Sequence, residues 1–489
     1  MDWKEEYKKK LVSPEAAVKA VKSGDRVMVP LGADPKILTE ALFNRKDELR
    51  GVEIMAIAPA SNPGWYSPGC EESFSTTMQM FVHHTAREGT DAKRTDFIPM
   101  LFSTEFKAID EKLPERREID VVLTICTKPN RHGFVNSGPF LWDRFSYAGR
   151  AKKVLMEVHP DLPTVFGDNM MHVSEIDHFI EGPHYMTDDE IKPFLAPLEA
   201  EKKKKLEEII KAIERSRRGS MVPLLVEMSL EEIAYYESLY GLSEPPDDMK
   251  AICGYVGELV KDGDTIQIGA GSAINWLPKL GIFDNKVDLG YHAEMAARGI
   301  GKLVEGGVIT GKYKTIHKGL AVAAAWSGID NDDLDYIAEN PKFHLYPNEY
   351  TNNIKTISAH DNMVAVNTCL SVDFTGQINS ETVAGNRIFN GHGGQPEFAI
   401  GSFLSKGGRN LSLLPSTALG GVVSRIVPRF EEGACVTIPR YFADYIVTEY
   451  GYTRLIGKPF RERAMDLIGI AHPDFRAELT REARRMFWP

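Results

Sequence analysis

The chain repeats itself once, and the repeat leaves few folds open to it. Residues 21–32 read VKSGDRVMVPLG and residues 260–271 read VKDGDTIQIGAG. Each begins Val-Lys-x-Gly-Asp, continues with alternating apolar positions and ends in a glycine, the pattern of a tight turn that feeds a short strand. Further on, VEIMAI (52–57) resembles VDLGYH (287–292). Each copy therefore reads as turn, strand, glycine-containing loop, helix and second strand, a βαβ unit. The expected fold class is α/β, with two related open α/β domains.

At 489 residues the chain is longer than one hydrophobic core normally serves, in keeping with at least two domains. Between the repeats lies EAEKKKKLEEIIKAIERSRRG, where Leu206, Ile209, Ile210 and Ile213 recur at helical spacing. That is an amphipathic surface helix, and its lysines are its solvated face rather than a nucleic-acid patch. SLEE follows, with Ser229 and Glu232 spaced as a capping box, and SEPPDD then interrupts the chain at 243–248. The expected domains are 1–225 and 226–489.

The net charge of −11 argues against general nucleic-acid binding while leaving room for a local basic pocket. No segment approaches 18 uninterrupted apolar residues, so no membrane span is expected. The start, MDWKEEYKKKL, lacks the apolar stretch of a secretory signal, and a cytoplasmic location is expected. The five cysteines form no CxxC pair and the 13 histidines no HExxH, so neither a disulfide framework nor a metal site is expected.

The two copies differ where chemistry could sit. In KVDLGYHAEMAARG, residues 286–299, Glu294 follows an apolar run and has no acidic neighbour nearby. Counted from the Val shared by VDLGYH and VEIMAI, Val287 and Val52, its place in the first copy falls on Pro59. A duplicated scaffold with one active site would look like this, and so would chance divergence.

IQIGAGSAINWLPKL places Gly269, Ala270, Gly271, Ser272 and Ala273 between a strand and a helical pattern with Ile274 and Leu277 on one face. Small residues there admit a ligand to the backbone, and the first N–H groups of the helix suit an anion or oxyanion. The full dinucleotide and phosphate-loop patterns are missing, so the stretch also reads as a plain tight turn. In an open α/β sheet the carboxyl ends of neighbouring strands face one crevice, which would bring this loop and Glu294 together. Facing backbone donors, a carboxylate can attack an activated carbonyl; alone at a strand end, it is a solvated surface group. A second cluster, Asn390, Gly391, Gly393 and Gly394, serves either a hairpin turn or the close approach of a bulky ligand.

The run MVAVNTCLSVDFTGQINSETVAGNRIFNGHGGQPEF, with LPSTALGGVVSRIVP, YIVTEYG and IAHPDFR after it, closely resembles the C-terminal half of the acetyl-CoA hydrolase/transferase family. GDRVMV and MHVSEIDHFIE look like the matching N-terminal half. The resemblance implies a class I CoA-transferase of two related α/β domains with the active site between them, acting on an acyl-CoA and a carboxylic acid. It implies a homodimer, coenzyme A as part of the substrate, and no metal or nucleotide cofactor.

Residue by residue, Glu294 in YHAEM matches the family's glutamate, which becomes a glutamyl-CoA thioester. Gly269 to Ala273 match a CoA-contacting loop that offers an oxyanion-stabilising amide. Asn390 and Gly394 match CoA-contacting positions, as do Leu370 in NTCLSVD and Lys406 in LSKGG. Asn348, in YPNEY, matches an asparagine that supports the oxyanion. The helix-bearing stretch 196–220 departs from the family as a long insert. Thioester hydrolysis and CoA binding without turnover are the alternatives. Trp65, Tyr66, Phe140, Trp142 and Trp326 either line an acyl pocket or pack cores.

Overall fold

The structure is a computed structural model that describes residues 2–32, 35–57, 62–80, 84–213, 215, 218–239, 242–269, 272–326 and 331–489. Ala270, Gly271 and Pro59 lie outside the described residues, as do the side chains of Ser272 and Ala273. Two compact units are formed, one by Met1–Leu230, Ala323–Ser327 and Leu334–Thr351, the other by Glu231–Val322, Gly328–Asp333 and Asn352–Pro489.

The first unit is built on a parallel sheet of strands β1 (Arg26–Val29), β2 (Val52–Ala56), β3 (Phe74–Gln79), β4 (Thr95–Ile98), β5 (Val121–Cys126), β6 (Lys153–Val158) and β7 (His178–Glu181). Their order is β7-β6-β5-β1-β2-β3-β4. Helix α1 (Lys36–Phe43) buries Leu38 and Leu42 in a core shared with Val27, Val29 and Ile54 of the sheet. Strands covered on both faces read as continuous apolar runs, and β5, VVLTIC, is buried at every position. Helix α2 (Ala200–Ala212) turns Leu206, Ile209 and Ile210 inward, and Ile213 just beyond it is buried too, while its lysine-rich stretch is mostly exposed or half-buried. Trp65, Tyr66, Phe140, Trp142 and Trp326 are all buried, Trp65 and Tyr66 within the core that holds Leu38.

In the second unit, helix α3 (Asp247–Leu259) leads into β8 (Thr265–Ile268), α4 (Ser272–Lys279) and β9 (Gly290–Met295). After these come α5 (Ile354–Ser358), β10 (Met363–Thr368), α6 (Gln395–Leu404), β11 (Arg409–Leu413), β12 (Tyr445–Thr448) and β13 (Gly451–Arg454). The six strands run in the order β13-β12-β11-β10-β8-β9, parallel except for the β12–β13 hairpin.

The repeat is structural as well as textual. The Lys22 N–H donates to the Asp25 carboxylate at 2.7 Å, and the Lys261 N–H to that of Asp264 at 2.6 Å. Gly24 and Gly263 take positive φ, +85° and +76°, in the same turn, a conformation that favours glycine. Each turn feeds a strand flanked by two parallel neighbours, β5 and β2 around β1, β10 and β9 around β8. The register revises one expectation. Arg26 pairs with Glu53 and Thr265 with Gly290, so the counterpart of Glu294 is the buried Ile57, not Pro59. The textual match of VDLGYH to VEIMAI sets Val287 against Val52, whereas the register sets Val287 against Arg50, and that slip of two residues carries the count from Ile57 to Pro59.

All five cysteines are free thiols, four of them buried. Among the described residues no helix is long and apolar enough to cross a membrane.

Candidate active site

Glu294 occupies the penultimate position of β9 in the second unit. The backbone beyond it is tethered, because the Tyr291 hydroxyl donates to the Met295 carbonyl and accepts from the Ala297 N–H, both at 3.3 Å. The side chain is half-buried by exposed surface, yet protein surrounds its carboxylate. Burial pushes the carboxyl up to about 7, against the opposing effects of hydrogen bonds from the Asn352 side chain and the Gly394 N–H. A charge kept out of water prefers to be neutral, and the donors recover part of that cost.

Those donors arrive by close helix packing. Gly394 is the N-cap of α6. A Cβ on it would overlap the Glu294 Oε2 atom and the Asn352 amide nitrogen, so only glycine allows the approach. Gln395 anchors the start of α6 by donating from Nε2 to the Thr368 carbonyl at 3.0 Å, at the carboxyl end of β10. Asn352 lies just before α5, whose N-cap Asn353 accepts from the Lys355 N–H. At Gly401 of α6 an added Cβ would come within 2.5 Å of the Ile357 side chain of α5, so glycine again sets the spacing. With the helices this close, Asn352 Nδ2 donates to Glu294 Oε2 at 2.6 Å and reaches Oε2 of the fully buried Glu397 at 3.2 Å.

Gly269 stands directly after β8, its N–H on the Val366 carbonyl at 2.9 Å. Beneath it Gln267 and Asn367 exchange two amide hydrogen bonds of 3.1 Å, and a Cβ on Gly269 would collide with the Asn367 amide. Under the glutamate strand, Lys314 is buried with Nζ donating to the Tyr291 and Leu320 carbonyls, each at 2.8 Å, and burial lowers its amine to about 7. His292, two residues before Glu294, packs at a tilt against His360 with ring centroids 4.7 Å apart. Burial, aided by His292 and Lys314, holds His360 far below the usual imidazole range.

The carboxyl edge of this sheet thus gathers Glu294, Gly269, Gly394 and Leu370, which follows β10 with its N–H on the Asn379 carbonyl at 2.8 Å. Asn390 is exposed in the loop before α6 and accepts from the Gly391 N–H with its own side chain. Lys406 is elsewhere. Its carbonyl accepts from the Asn362 N–H, ahead of β10, at the amino edge of the sheet, and its ammonium is exposed 3.8 Å from Asp361. Five or six residues of strand, roughly 16–20 Å, separate the two edges. Asn348 belongs to the first unit, fully buried, with neither side-chain polar atom hydrogen-bonded. The amide on Glu294 is that of Asn352, one helical turn further on, and it and Glu397 were not among the expected site residues. Glu397 stands in plain view in GGQPEF, an acidic residue among apolar ones immediately after the glycine cluster. No group of three or more His, Cys, Asp or Glu among the described residues is arranged to hold a metal ion.

A carboxylate ringed by a backbone and a side-chain amide is equipped for attack on a carbonyl, with the same donors placed to receive negative charge. Comparison with known proteins gives that chemistry its setting. The acetyl-CoA hydrolase/transferase N-terminal domain matches residues 1–188, and the C-terminal domain of the same name residues 331–483. The chain belongs to the acetyl-CoA hydrolase/transferase family. It is 34% identical to the 4-hydroxybutyrate coenzyme A transferase of Clostridium kluyveri, over 100% of both chains. It is 32% identical to the succinyl-CoA:cyclohexane-1-carboxylate CoA transferase of Geobacter metallireducens, over 99% of this chain and 97% of that one. The crystal structure of RipA from Yersinia pestis matches at a TM-score of 0.80 and 27% identity, covering 99% of each chain. The protein is an enzyme of the CoA-transferase class.

Proposed function

We propose that this member of the family moves CoA from an acyl-CoA to a free carboxylic acid, with Glu294 as the covalent carrier. The supporting observation is the pair of donors, Asn352 Nδ2 and the Gly394 N–H, that converge on a carboxyl held near neutrality. The Glu294 carboxylate attacks the thioester carbonyl, and the C–S bond breaks to release CoA thiolate and leave an acyl-glutamyl anhydride. The thiolate then attacks the glutamyl carbonyl, expelling the first carboxylate and leaving a glutamyl-CoA thioester. A second carboxylate reverses both steps and departs as its CoA ester. One acyl bond of high energy is conserved throughout, so the exchange requires neither nucleotide nor metal.

Each step passes through a tetrahedral oxyanion, and one preorganised donor at such a centre is worth about 3 kcal/mol. Gly269 to Ala273, Leu370, Asn390 and Gly394 are assigned to CoA contacts in this reading, and the remote binding energy of CoA offsets the cost of bringing carboxylate and thioester together. The same reading takes the protein to be a cytoplasmic homodimer.

The test is to mix the protein with an acyl-CoA, reduce with borohydride and map the peptides by mass spectrometry. A defined mass loss on the peptide carrying Glu294 is expected, together with CoA exchange that requires an added carboxylate. An unmodified peptide would remove Glu294 from its role, and CoA release indifferent to the acceptor would make the protein a hydrolase.

A further inference from the structure

Building on the reading of Glu294 as the nucleophile, we propose that Glu397 is a positioning residue for the reaction. By accepting the second amide hydrogen of Asn352, it keeps that side chain's nitrogen, rather than its oxygen, against Glu294.

An asparagine amide carries two hydrogens on nitrogen and only lone pairs on oxygen, and its two ends are nearly equal in size. Shape therefore does not fix which end faces a neighbour; the hydrogen-bond partners do. Asn352 Nδ2 stands 2.6 Å from Glu294 Oε2 and 3.2 Å from Glu397 Oε2, one hydrogen for each acceptor. Turned over, the amide would set its oxygen against both carboxyl oxygens and lose both bonds.

The second acceptor matters most once Glu294 has reacted. As an anhydride or thioester, Glu294 offers a neutral carbonyl in place of a carboxylate and draws the amide less strongly. Glu397 does not react, so its hold on Asn352 persists through the stages in which the oxyanion forms. Its own placement is rigid: it is fully buried three residues into α6, and the Gly401–Ile357 contact sets how closely α6 lies to α5. A donor carried on such a support meets the tight tolerance that catalysis demands.

The test is a double-mutant cycle with Glu397→Gln and Asn352→Ala, following CoA exchange in the full-length enzyme. A glutamine at 397 can donate to a flipped Asn352, so it stabilises both orientations. Glu397→Gln is expected to lower kcat about tenfold and leave KM for acyl-CoA within about twofold. In the Asn352→Ala background the same change should cost less than about twofold, because nothing remains to be positioned. An equal loss in both backgrounds, or none in either, overturns the proposal.

If Glu397→Gln does not fold, Glu397→Asp enters the same cycle, again with a loss expected only when Asn352 is present. Should neither fold, a high-resolution structure of the CoA-charged wild type decides: Asn352 Nδ2 still on Glu397 supports the proposal, and a rotated or displaced amide overturns it. Wild-type protein that neither exchanges CoA nor traps at Glu294 would instead sink the underlying reading of function.

Discussion

The Glu294 carboxylate stands where a Cβ on Gly394 would be. The Gly394 N–H reaches it for that reason, and no other residue type leaves the space. Gly394→Ala should therefore displace either the carboxylate or the start of α6. The expected outcome is a loss of CoA exchange of at least about a hundredfold, since small displacements at a reacting centre cost that much. Initial-rate measurements check it, with thermal melting to establish that the variant is folded. Exchange within a few fold of wild type would mean that the N–H contact is dispensable.

Asn352→Ala removes the side-chain donor while leaving the Gly394 N–H in place. A lost oxyanion donor typically costs about 10² to 10³ in kcat. The Asn352 hydrogen bond also lowers the pKa of Glu294, so its removal should move the acidic limb of the rate profile upward. Both readouts come from one set of substrate-saturation curves across pH, which give kcat and kcat/KM, and a drop in kcat without movement of the limb would separate the two roles.

In the wild type the position of that limb is itself a prediction. Burial raises Glu294 to about 7, and only the ionised form is a nucleophile. For the free enzyme, kcat/KM should level off above pH 7 and fall about tenfold per unit below it. An ordinary exposed glutamate would keep the rate flat down to about pH 5. A profile flat between pH 5 and 7 would contradict a desolvated nucleophile.

Local chemistry explains what could be read in the chain itself. The turns at Lys22–Asp25 and Lys261–Asp264 are fixed by neighbouring residues, a glycine at positive φ and an aspartate accepting from an N–H three residues back, so the repeat announces itself in letters. The buried face of α2 follows likewise from helical spacing. Glu294 was legible as an isolated carboxylate at the carboxyl end of a strand, a pattern that a solvated surface group shares, and the family resemblance is what singled it out as a site candidate. Its partner was not, because NEYTNN offers Asn348, Asn352 and Asn353, and the choice among them depends on how α5 packs against α6 through Gly401. The place of Lys406 is hidden for the opposite reason: nearness in sequence to the glycine cluster says nothing about which edge of a parallel sheet a residue reaches after a helix has carried the chain back.

The same burial that tunes Glu294 should be visible in stability. Its carboxyl is raised from an ordinary value of 4.5 to about 7 in the folded protein, so the folded state binds the proton more tightly than the unfolded one. The contribution of this group is complete below about pH 4.5, declines as pH rises and is gone once pH passes about 7. Above that pH the fold carries a partly desolvated charge. Glu294→Gln removes the charge, nearly preserves the shape and retains an oxygen to accept from Asn352. At pH 8 it should be more stable than wild type by on the order of 2 kcal/mol, and near pH 4.5 the two should be close. Urea midpoints of both proteins at the two pH values provide the comparison. A stability difference independent of pH would place the carboxylate in a far wetter setting than its surroundings imply.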